Sequence, residues 1–427
     1  MSSVSTRVKI GDALGMLLTK ELPGRFTFYD GSSIGTGEIP ITLHLKTQRG
    51  LAYLLTAPGD LGLARAYVMG DLDIEGVHPG DPYEALVLLY RNLKFRSPTP
   101  AEALQIVRGL GWSNLKPPPT PPQETLPRWR RTVEGLRHSM GRDAEAIHHH
   151  YDVSNRFYEM VLGPSMTYTC AVYPHDGASL EEAQNYKYDL IARKLDLKPG
   201  MRLLDVGCGW GGMVRFAARE YGVKALGATL SAEQASWAKE AIDREGLANL
   251  AEVRHSDYRD VLETGFDAVS SIGLTEHIGV RQYPAYFGFL KDKLRPQGRL
   301  LNHCITRPHN HRQETGAFID RYVFPDGELT GVGRIVTEVQ DIGLEVMHAE
   351  NFRLHYMRTC AAWCQNLVDN WDECVAEVGE GTARVWGLYM AGSRMGFELN
   401  EIQLDHVLAV KTEGGVDGFP LRSNTWV

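Results

Sequence analysis

The sequence predicts an α/β fold with a doubly wound parallel sheet from residue 180 onward. Short apolar runs (RLLDVG, VKALGATL, FDAVSSIG and RLLNHCIT) alternate there with segments of helical length. Strands that alternate with helices form a parallel sheet with helices on both faces. A glycine-rich loop follows the first of these strands and precedes the helical segment MVRFAAREY, which is where such sheets bind ligands.

A smaller domain is predicted at the amino terminus. Residues 116–127, KPPPTPPQETLP, hold six prolines in twelve positions, which is typical of a stiff, extended linker. This linker separates a domain at 1–115 from one at 128–427. In the first domain, FTFYDGS and ITLHLKT alternate like strands, and PYEALVLLYRNL and TPAEALQIVRGLG have helical spacing. We expect it to be a small α+β or helical domain, and we expect helical insertions and two more strands, LEVMHAENF and EIQLDHVLAV, in the larger one.

Composition excludes several classes of protein. The 427 residues are 43% hydrophobic and 23% charged, as in globular chains, and no apolar stretch is long enough for a transmembrane helix. The net charge of −8 argues against nucleic-acid binding by the whole chain. No signal peptide is expected. Six cysteines without a disulfide or zinc spacing fit a reduced, cytoplasmic protein.

The glycine loop, DVGCGWGG at 205–212, indicates a nucleotide ligand. Glycines let the backbone turn sharply and let a ligand approach closely. The loop satisfies GxGxxG, which alone is a weak signal. A nicotinamide site needs an acid at the end of the next strand, where this chain has ATLS at 228–231. The form DxGCGxG is instead the one used by class I S-adenosylmethionine (SAM) methyltransferases.

Taken together, the motifs resemble those of the cyclopropane fatty acid synthases and mycolic acid cyclopropane synthases over nearly all of 146–411. The matches, in the family's order, are HYDVSNRFYEMVL, TYTC, LLDVGCGWGG, TLS with the glutamine that follows it, EHIG, NHCI, YVFP, HY and EIQ. Before the linker, GLARAYVMGDLDIEG resembles the amino-terminal domain of the members that act on phospholipids. The resemblance implies a class I SAM methyltransferase fold. It also implies transfer of the SAM methyl to a double bond of an unsaturated phospholipid acyl chain, such as oleoyl.

The resemblance also implies the residues of two sites. The residues that would line the SAM site are Tyr151, Tyr168, Thr169, Gly207, Gly209, Thr229, Leu230, Gln234, Asp257 and Tyr258. The family holds a bicarbonate ion at the reaction centre, and the matching positions are Cys170, Glu276, His303, Ile305 (through its backbone) and Tyr356. No metal site is expected, because the adjacent rings of His148–His150 cannot share one helical face.

The proposed chemistry needs these residue types. An alkene is its own nucleophile, and the carbocation that it becomes requires a dry site, aromatic faces and a base. Bicarbonate held by Glu276, His303 and Tyr356 can supply that base. A lone buried His or Tyr is more often a satisfied core group, and Cys170 alone resembles a small hydrophobe. Glu276 follows the fourth strand, where open α/β sheets bind ligands.

The residue before the motif glutamate bears on the product. Cyclopropane-forming members usually carry Phe there, whereas this chain has Thr275. Proton loss from the added methyl closes a cyclopropane, whereas a preceding hydride shift leaves a methylene group. Actinobacterial relatives make the second product, a 10-methylene precursor of tuberculostearate-type fatty acids, which a separate reductase using NADPH and a flavin would complete. We expect the methylene product, with the cyclopropane as the alternative.

A basic segment suggests how the protein meets its substrate. Residues 128–142, RWRRTVEGLRHSMGR, carry five Arg and one Glu. Such runs are usually solvated faces, and the alternative is a patch that contacts anionic lipid at the inner face of the membrane. An NAD-dependent oxidoreductase and a non-catalytic lipid-binding protein are the rival functions. The missing acid disfavours the first, and the intact loop and bicarbonate set disfavour the second. A homodimer is an open alternative for the assembly.

Overall fold

The structure, a computed structural model, describes residues 8–124, 153–311, 313–314, 316–324 and 327–422. The chain forms two compact units. Unit 1 is Met1–Leu126, Gly316–Val323 and Trp363–Met395; unit 2 is Pro127–Thr315, Phe324–Ala362 and Gly396–Val427. The sequence assigned all of 128–427 to one domain, whereas two later segments of the chain join unit 1.

The elements within the described ranges have the following bounds. The α-helices are α1 (Ile10–Gly15), α2 (Gln48–Thr56), α3 (Asp60–Val68), α4 (Tyr83–Asn92), α5 (Pro100–Leu110), α6 (Asn155–Leu162), α7 (Leu180–Leu195), α8 (Gly212–Tyr221), α9 (Ala232–Arg244), α10 (Thr275–Ile278), α11 (Tyr283–Lys293), α12 (Ala317–Tyr322), α13 (Val332–Asp341), α14 (Arg353–Asp369), α15 (Trp371–Val378) and α16 (Glu380–Glu398). The strands are β1 (Arg25–Phe28), β2 (Ser33–Ile34), β3 (Thr42–Leu45), β4 (Leu72–Glu75), β5 (Arg202–Val206), β6 (Lys224–Thr229), β7 (Ala251–His255), β8 (Phe266–Ile272), β9 (Leu294–Thr306), β10 (Gln313–Glu314), β11 (Glu328–Leu329), β12 (Glu345–Asn351) and β13 (Gln403–Val410).

Unit 1 contains a four-stranded sheet in the order β2-β1-β3-β4, with β1 and β3 parallel. The alternation predicted for its strands is observed, since Phe26, Phe28, Leu43 and Leu45 are buried. Helices α4 and α5 coincide with the predicted helical segments. The expectation of a small α+β domain is confirmed.

Ion pairs connect a later segment of the chain and the linker to the rest of unit 1. Arg384 on α16 contacts Asp73 at 3.0 Å and donates to the carbonyl of Tyr67 at 2.9 Å. Arg65 donates two hydrogen bonds of 2.6 Å to the buried carboxylate of Glu124. That glutamate lies in the proline-rich linker, whose described part is therefore fastened to unit 1.

Unit 2 is built on a seven-stranded sheet in the order β12-β13-β9-β8-β5-β6-β7. Strands β9, β8, β5, β6 and β7 are parallel, and β13 runs antiparallel to β9 and β12. Alternate residues of one strand pack on opposite faces: Leu301 joins the core formed with α7, α8 and α9, and Leu300 joins the core formed with α11 and α13. The predicted doubly wound α/β fold is confirmed. Among the described helices, none is long and apolar enough to cross a membrane.

Candidate active site

The glycine loop turns directly out of β5. Gly207 and Gly209 have φ of +70° and +54°, which L-residues with side chains rarely adopt. The backbone N–H of Gly207 donates to the carbonyl of Ala228 at 2.9 Å, which ties the loop to β6. A Cβ at Gly207 would lie 3.1 Å from Leu274, whereas one at Gly209 would meet open space. The loop therefore leaves room for a ligand beside its second glycine.

Predicted SAM residues follow the next two strands. Thr229 ends β6, and its hydroxyl donates to Gln234 Oε1 at 2.8 Å. Asp257 caps a short 3-10 helix and accepts hydrogen bonds of 2.8 and 2.6 Å from the Arg259 guanidinium. Burial raises the pKa of Asp257, but these hydrogen bonds outweigh that effect and hold the pKa below its usual value. The ring of Tyr258 packs edge-on against neighbouring aromatic rings.

Two buried ionisable groups lie near the loop, namely Asp205, which belongs to the predicted loop motif, and Lys187, which was not predicted. Asp205 on β5 accepts a hydrogen bond of 2.6 Å from Ser270, and burial raises its pKa to about 7. Lys187 on α7 donates to Thr169 Oγ1 at 2.9 Å, and burial lowers its pKa to about 7. The nearby Asp205 carboxylate partly offsets this effect by raising the pKa of Lys187. In its protonated form, this buried lysine stabilises a nearby anion.

Glu276 places a buried carboxyl group beside the end of β9. The residue is partly exposed, but its Oε2 atom is buried. Oε1 accepts a hydrogen bond of 2.9 Å from the backbone N–H of Ile305, whereas Oε2 has no hydrogen-bond partner within the described ranges. Burial raises the pKa of this carboxyl to about 7. A buried oxygen without a partner is unusual in a native protein and points to a ligand.

His303 presents a second atom of this kind. It is fully buried on β9, two residues before Ile305 and therefore on the same face of the strand. Its Nδ1 contacts His406 Nε2 at 2.8 Å, and its Nε2 has no partner among the described residues. Burial and the nearby lysines lower its pKa well below the usual value.

Cys170 and Tyr356 lie on neighbouring segments. Ala171, next to Cys170, donates its N–H to Thr359 on α14 at 3.0 Å, and Tyr356 lies one turn earlier on that helix. The Tyr356 ring stacks on Phe397 with a centroid distance of 4.4 Å. Burial raises the pKa of the Cys170 thiol well above its usual value, so this cysteine stays protonated.

Thr275, which the sequence relates to the choice of product, lies in the core of unit 2. It is fully buried, and its hydroxyl accepts a hydrogen bond of 2.5 Å from Asn302 Nδ2. Asn302 and His303 are adjacent on β9 and point to opposite faces of the sheet. Thr275 therefore packs in the core beneath Glu276, and it would influence the reaction by positioning that residue.

Some predicted features lie outside the described residues, namely Tyr151, the basic segment 128–142 and the run His148–His150. Of the remaining SAM residues, Tyr168 packs near Tyr158 with a centroid distance of 5.9 Å. Within the described ranges, no group of three or more His, Cys, Asp or Glu side chains could hold a metal ion.

Comparison with protein families relates this site to known enzymes. The family model for mycolic acid cyclopropane synthetase matches residues 138–407. The chain is 64% identical over 407 residues to "Probable fatty acid methyltransferase Rv3720" of Mycobacterium tuberculosis, and the match covers 95% of each chain. It is 36% identical over 260 residues to cyclopropane-fatty-acyl-phospholipid synthase of Escherichia coli K12, which covers 61% of this chain and 66% of that one.

Solved structures show the same fold. Mycolic acid cyclopropane synthase CmaA1, complexed with SAH and CTAB, superposes with a TM-score of 0.59 at 30% identity and covers 63% of this chain and 98% of its own. The cyclopropane synthase MmaA2 from Mycobacterium tuberculosis superposes with a TM-score of 0.59 at 29% identity, covering 64% and 99%. The class I SAM methyltransferase fold expected for unit 2 is therefore confirmed.

Proposed function

The chain belongs to the mycolic acid cyclopropane synthetase family of SAM-dependent methyltransferases, and from this premise we propose that it methylates a double bond of an unsaturated phospholipid acyl chain. The observation that carries the proposal is the pair of buried, unpartnered atoms Glu276 Oε2 and His303 Nε2. Family membership sets aside the NAD-dependent oxidoreductase.

SAM fits the glycine loop and its surroundings. The backbone at Gly207 and Gly209 has left-handed φ values, and space is open at the second glycine. Thr169 contacts Lys187, and Thr229 contacts Gln234, so these polar groups proposed for the SAM site are held in place. When bound, SAM supplies the methyl group as an electrophile.

Bicarbonate fits the reaction centre. Glu276 offers an oxygen and His303 a ring nitrogen that have no hydrogen-bond partner among the described residues, and Lys187 is a buried amine whose charge acts on His303. These groups together suit a small oxyanion that both accepts and donates hydrogen bonds. When bound, bicarbonate supplies an oxygen base. In this proposal Glu276 and His303 hold that base, with Tyr356 and Cys170 beside it.

The chain excludes competing nucleophiles from this centre. Methylation of an alkene leaves a cation on the acyl chain, which water or a thiolate would capture. His303, Cys170 and the oxygen Oε2 of Glu276 are all buried, and the Cys170 thiol is held protonated by burial, which raises its pKa. The stacked rings of Tyr356 and Phe397 offer aromatic faces near the segment that carries Cys170.

For the product, we propose the methylene compound, with the cyclopropane ring as the alternative. Both begin with the same methyl transfer and differ in whether a hydride shift precedes proton loss. Thr275 supports the core under Glu276 through its hydrogen bond to Asn302, so it sets where the carboxyl lies relative to the cation. A methylene product would require a separate reductase to become a methyl branch.

An exposed edge of unit 1 supports peripheral contact with an anionic membrane. The segments 16–20 and 90–96 lie side by side, because the Thr19 N–H donates to the Lys94 carbonyl at 2.8 Å. Tyr90 and Phe95 are 43% and 44% exposed there. The exposed cations of this basic edge are Lys20, Arg91, Lys94 and Arg96, of which Arg96 is ion-paired with Glu102. Aromatic side chains between cations are typical of interfacial anchors.

The test is incubation of the protein with SAM and oleoyl phospholipid vesicles, followed by mass spectrometry of the released fatty acids. A gain of one CH2 supports the proposal, and NMR of the product distinguishes ring from methylene. The Glu276→Gln variant is the matched negative control. If only unmodified oleate is recovered after incubation with the wild-type protein and saturating SAM, the proposal is contradicted.

A further inference from the structure

A buried chain of polar side chains runs behind His303 in unit 2. His303 Nδ1 lies 2.8 Å from His406 Nε2, and His406 Nδ1 lies 3.2 Å from Lys194 Nζ. Lys194 Nζ in turn lies 2.5 Å from Glu350 Oε2. We call these four residues the histidine chain. Lys194, His406 and Glu350 have no place in the site described above.

The fold assembles this chain from distant parts of the sequence. His303 and His406 are directly opposed on the antiparallel strands β9 and β13, so their side chains share one face. Lys194 reaches that face from α7, whereas Glu350 lies on β12. His303, His406 and Lys194 are fully buried, and the Glu350 side chain is 35% exposed.

Hydrogen-bond chemistry assigns every proton in the chain. Lys194, ion-paired with Glu350, is an ammonium group, which donates and cannot accept. His406 Nδ1 must therefore accept, and the neutral ring carries its hydrogen on Nε2. His406 then donates to His303 Nδ1, which leaves the hydrogen of the neutral His303 ring on Nε2. Burial lowers the pKa of both histidines well below the usual value, which keeps them neutral.

We propose that Lys194 and His406 are positioning residues that lock His303 in the Nε2–H tautomer, so that His303 donates a hydrogen bond into the reaction centre and does not serve as the base. This inference rests on the proposed function for the identity of the reaction, but the tautomer of His303 depends only on the histidine chain.

The locked tautomer defines what the reaction centre can hold. His303 Nε2–H is a donor, and Glu276 Oε2 is an acceptor when the carboxyl is ionised. A ligand that bridges them must offer a lone pair to the first and a hydrogen to the second. A carboxylate has no hydrogen to give, whereas bicarbonate has both groups. If bicarbonate bound here, His303 Nε2–H and Glu276 Oε2 would hold it as donor and acceptor, and the bicarbonate would supply an oxygen base for the substrate proton.

The test is NMR of the full chain with 15N-labelled histidine, with the His303 signals identified by their loss in His303→Gln. We expect His303 to be protonated on Nε2 in the wild-type protein, and to lose that preference in Lys194→Met. A wild-type His303 protonated on Nδ1 would overturn the proposal.

Kinetics provide a readout that needs no assignment. Lys194→Met should lower kcat on the order of 10- to 100-fold, as for loss of a group that orients a catalytic imidazole, while KM for SAM stays constant. Lys198→Met is the matched control, because the Lys198 side chain is 63% exposed and does not belong to the histidine chain. His406→Gln should retain more activity than His406→Leu, since an amide can accept from Lys194 and donate to His303. Wild-type kcat and an unchanged tautomer in Lys194→Met would overturn the role of Lys194.

The two proposals fail in different ways. If no lipid is methylated but His303 shows an Nε2–H tautomer that depends on Lys194, the proposed function is wrong and the histidine chain stands. If lipid is methylated and His303 is the Nδ1–H tautomer, the proposed function stands and the histidine chain does not act as proposed.

Discussion

Replacing Glu276 by Gln should make the ligand-free protein more stable at alkaline pH. Burial raises the pKa of the folded carboxyl to about 7 from an ordinary 4.5, so the folded state binds this proton more tightly than the unfolded state. The stability associated with the protonated carboxyl is complete below pH 4.5 and is lost as the pH rises through 7. The difference between the folded and unfolded pKa values corresponds to about 3 kcal/mol in the free energy of unfolding.

Glutamine carries no charge, so the variant has no such loss. Its amide oxygen can still accept the hydrogen bond from the Ile305 N–H, and its unpaired N–H costs about 1–3 kcal/mol at every pH. The pH-dependent part is therefore the quantity to measure. Between pH 5 and pH 8 the stability of Glu276→Gln relative to the wild type should increase by about 2–3 kcal/mol.

Urea denaturation of the ligand-free proteins at the two pH values measures this difference. Glu240→Gln is the control, because its side chain is 67% exposed and little change is expected. The same Glu276→Gln protein should bind SAM normally and lose turnover by on the order of 100-fold or more. If the stability of Glu276→Gln relative to the wild type is equal at pH 5 and pH 8, the pKa of the Glu276 carboxyl is not raised by burial and the reasoning is refuted.

Three further changes test other parts of the site. Gly207→Val should abolish SAM binding in calorimetry, because the residue needs a φ of +70°; unchanged affinity in a folded variant would contradict the loop assignment. Thr275→Phe should raise the cyclopropane fraction measured by NMR, at a cost of about 1–3 kcal/mol for overpacking, and a wild-type enzyme that makes only cyclopropane refutes the argument. Changing Arg128, Arg130 and Arg131 to Gln should weaken sedimentation with anionic vesicles by about 1 kcal/mol per charge at low salt. If vesicle binding changes neither with these substitutions nor with the salt concentration, the segment 128–142 does not contact the membrane, and the basic edge of unit 1 is the next surface to test.

The sequence predicts the local parts of this structure well. The loop at Gly207 needs only a strand, glycines and a helix in succession, and the alternating runs around Leu43 need only a period of two. Glu276 and Ile305 were grouped from family motifs, and the structure joins them by a hydrogen bond of 2.9 Å.

What the sequence could not give depends on distant packing. Lys187 and Lys194 lie seven residues apart on one face of α7, and a helical pattern would place such charges in solvent. They are buried because that face covers the end of the sheet where β13 adds His406, more than 200 residues away in the chain. The orientation of Thr275 toward Asn302 likewise follows from tertiary packing and from no local pattern.

Burial also resolves an apparent conflict in a centre that must hold polar groups and shelter a cation. A solvated thiolate at Cys170 or a water beside Glu276 would capture the cation, yet a wholly apolar cavity could not hold a base. Burial raises the pKa of the thiol well above its usual value and lowers that of His303 well below, so both remain neutral. In the proposed reaction, the charge would then be concentrated in the bound anion that Glu276 and His303 are proposed to hold. The strand β13 contributes to this arrangement because it supplies His406 behind the catalytic face. In the proposed mechanism, the parallel strands would form the site for the methyl donor, and the antiparallel strand β13 would position the histidine that holds the base.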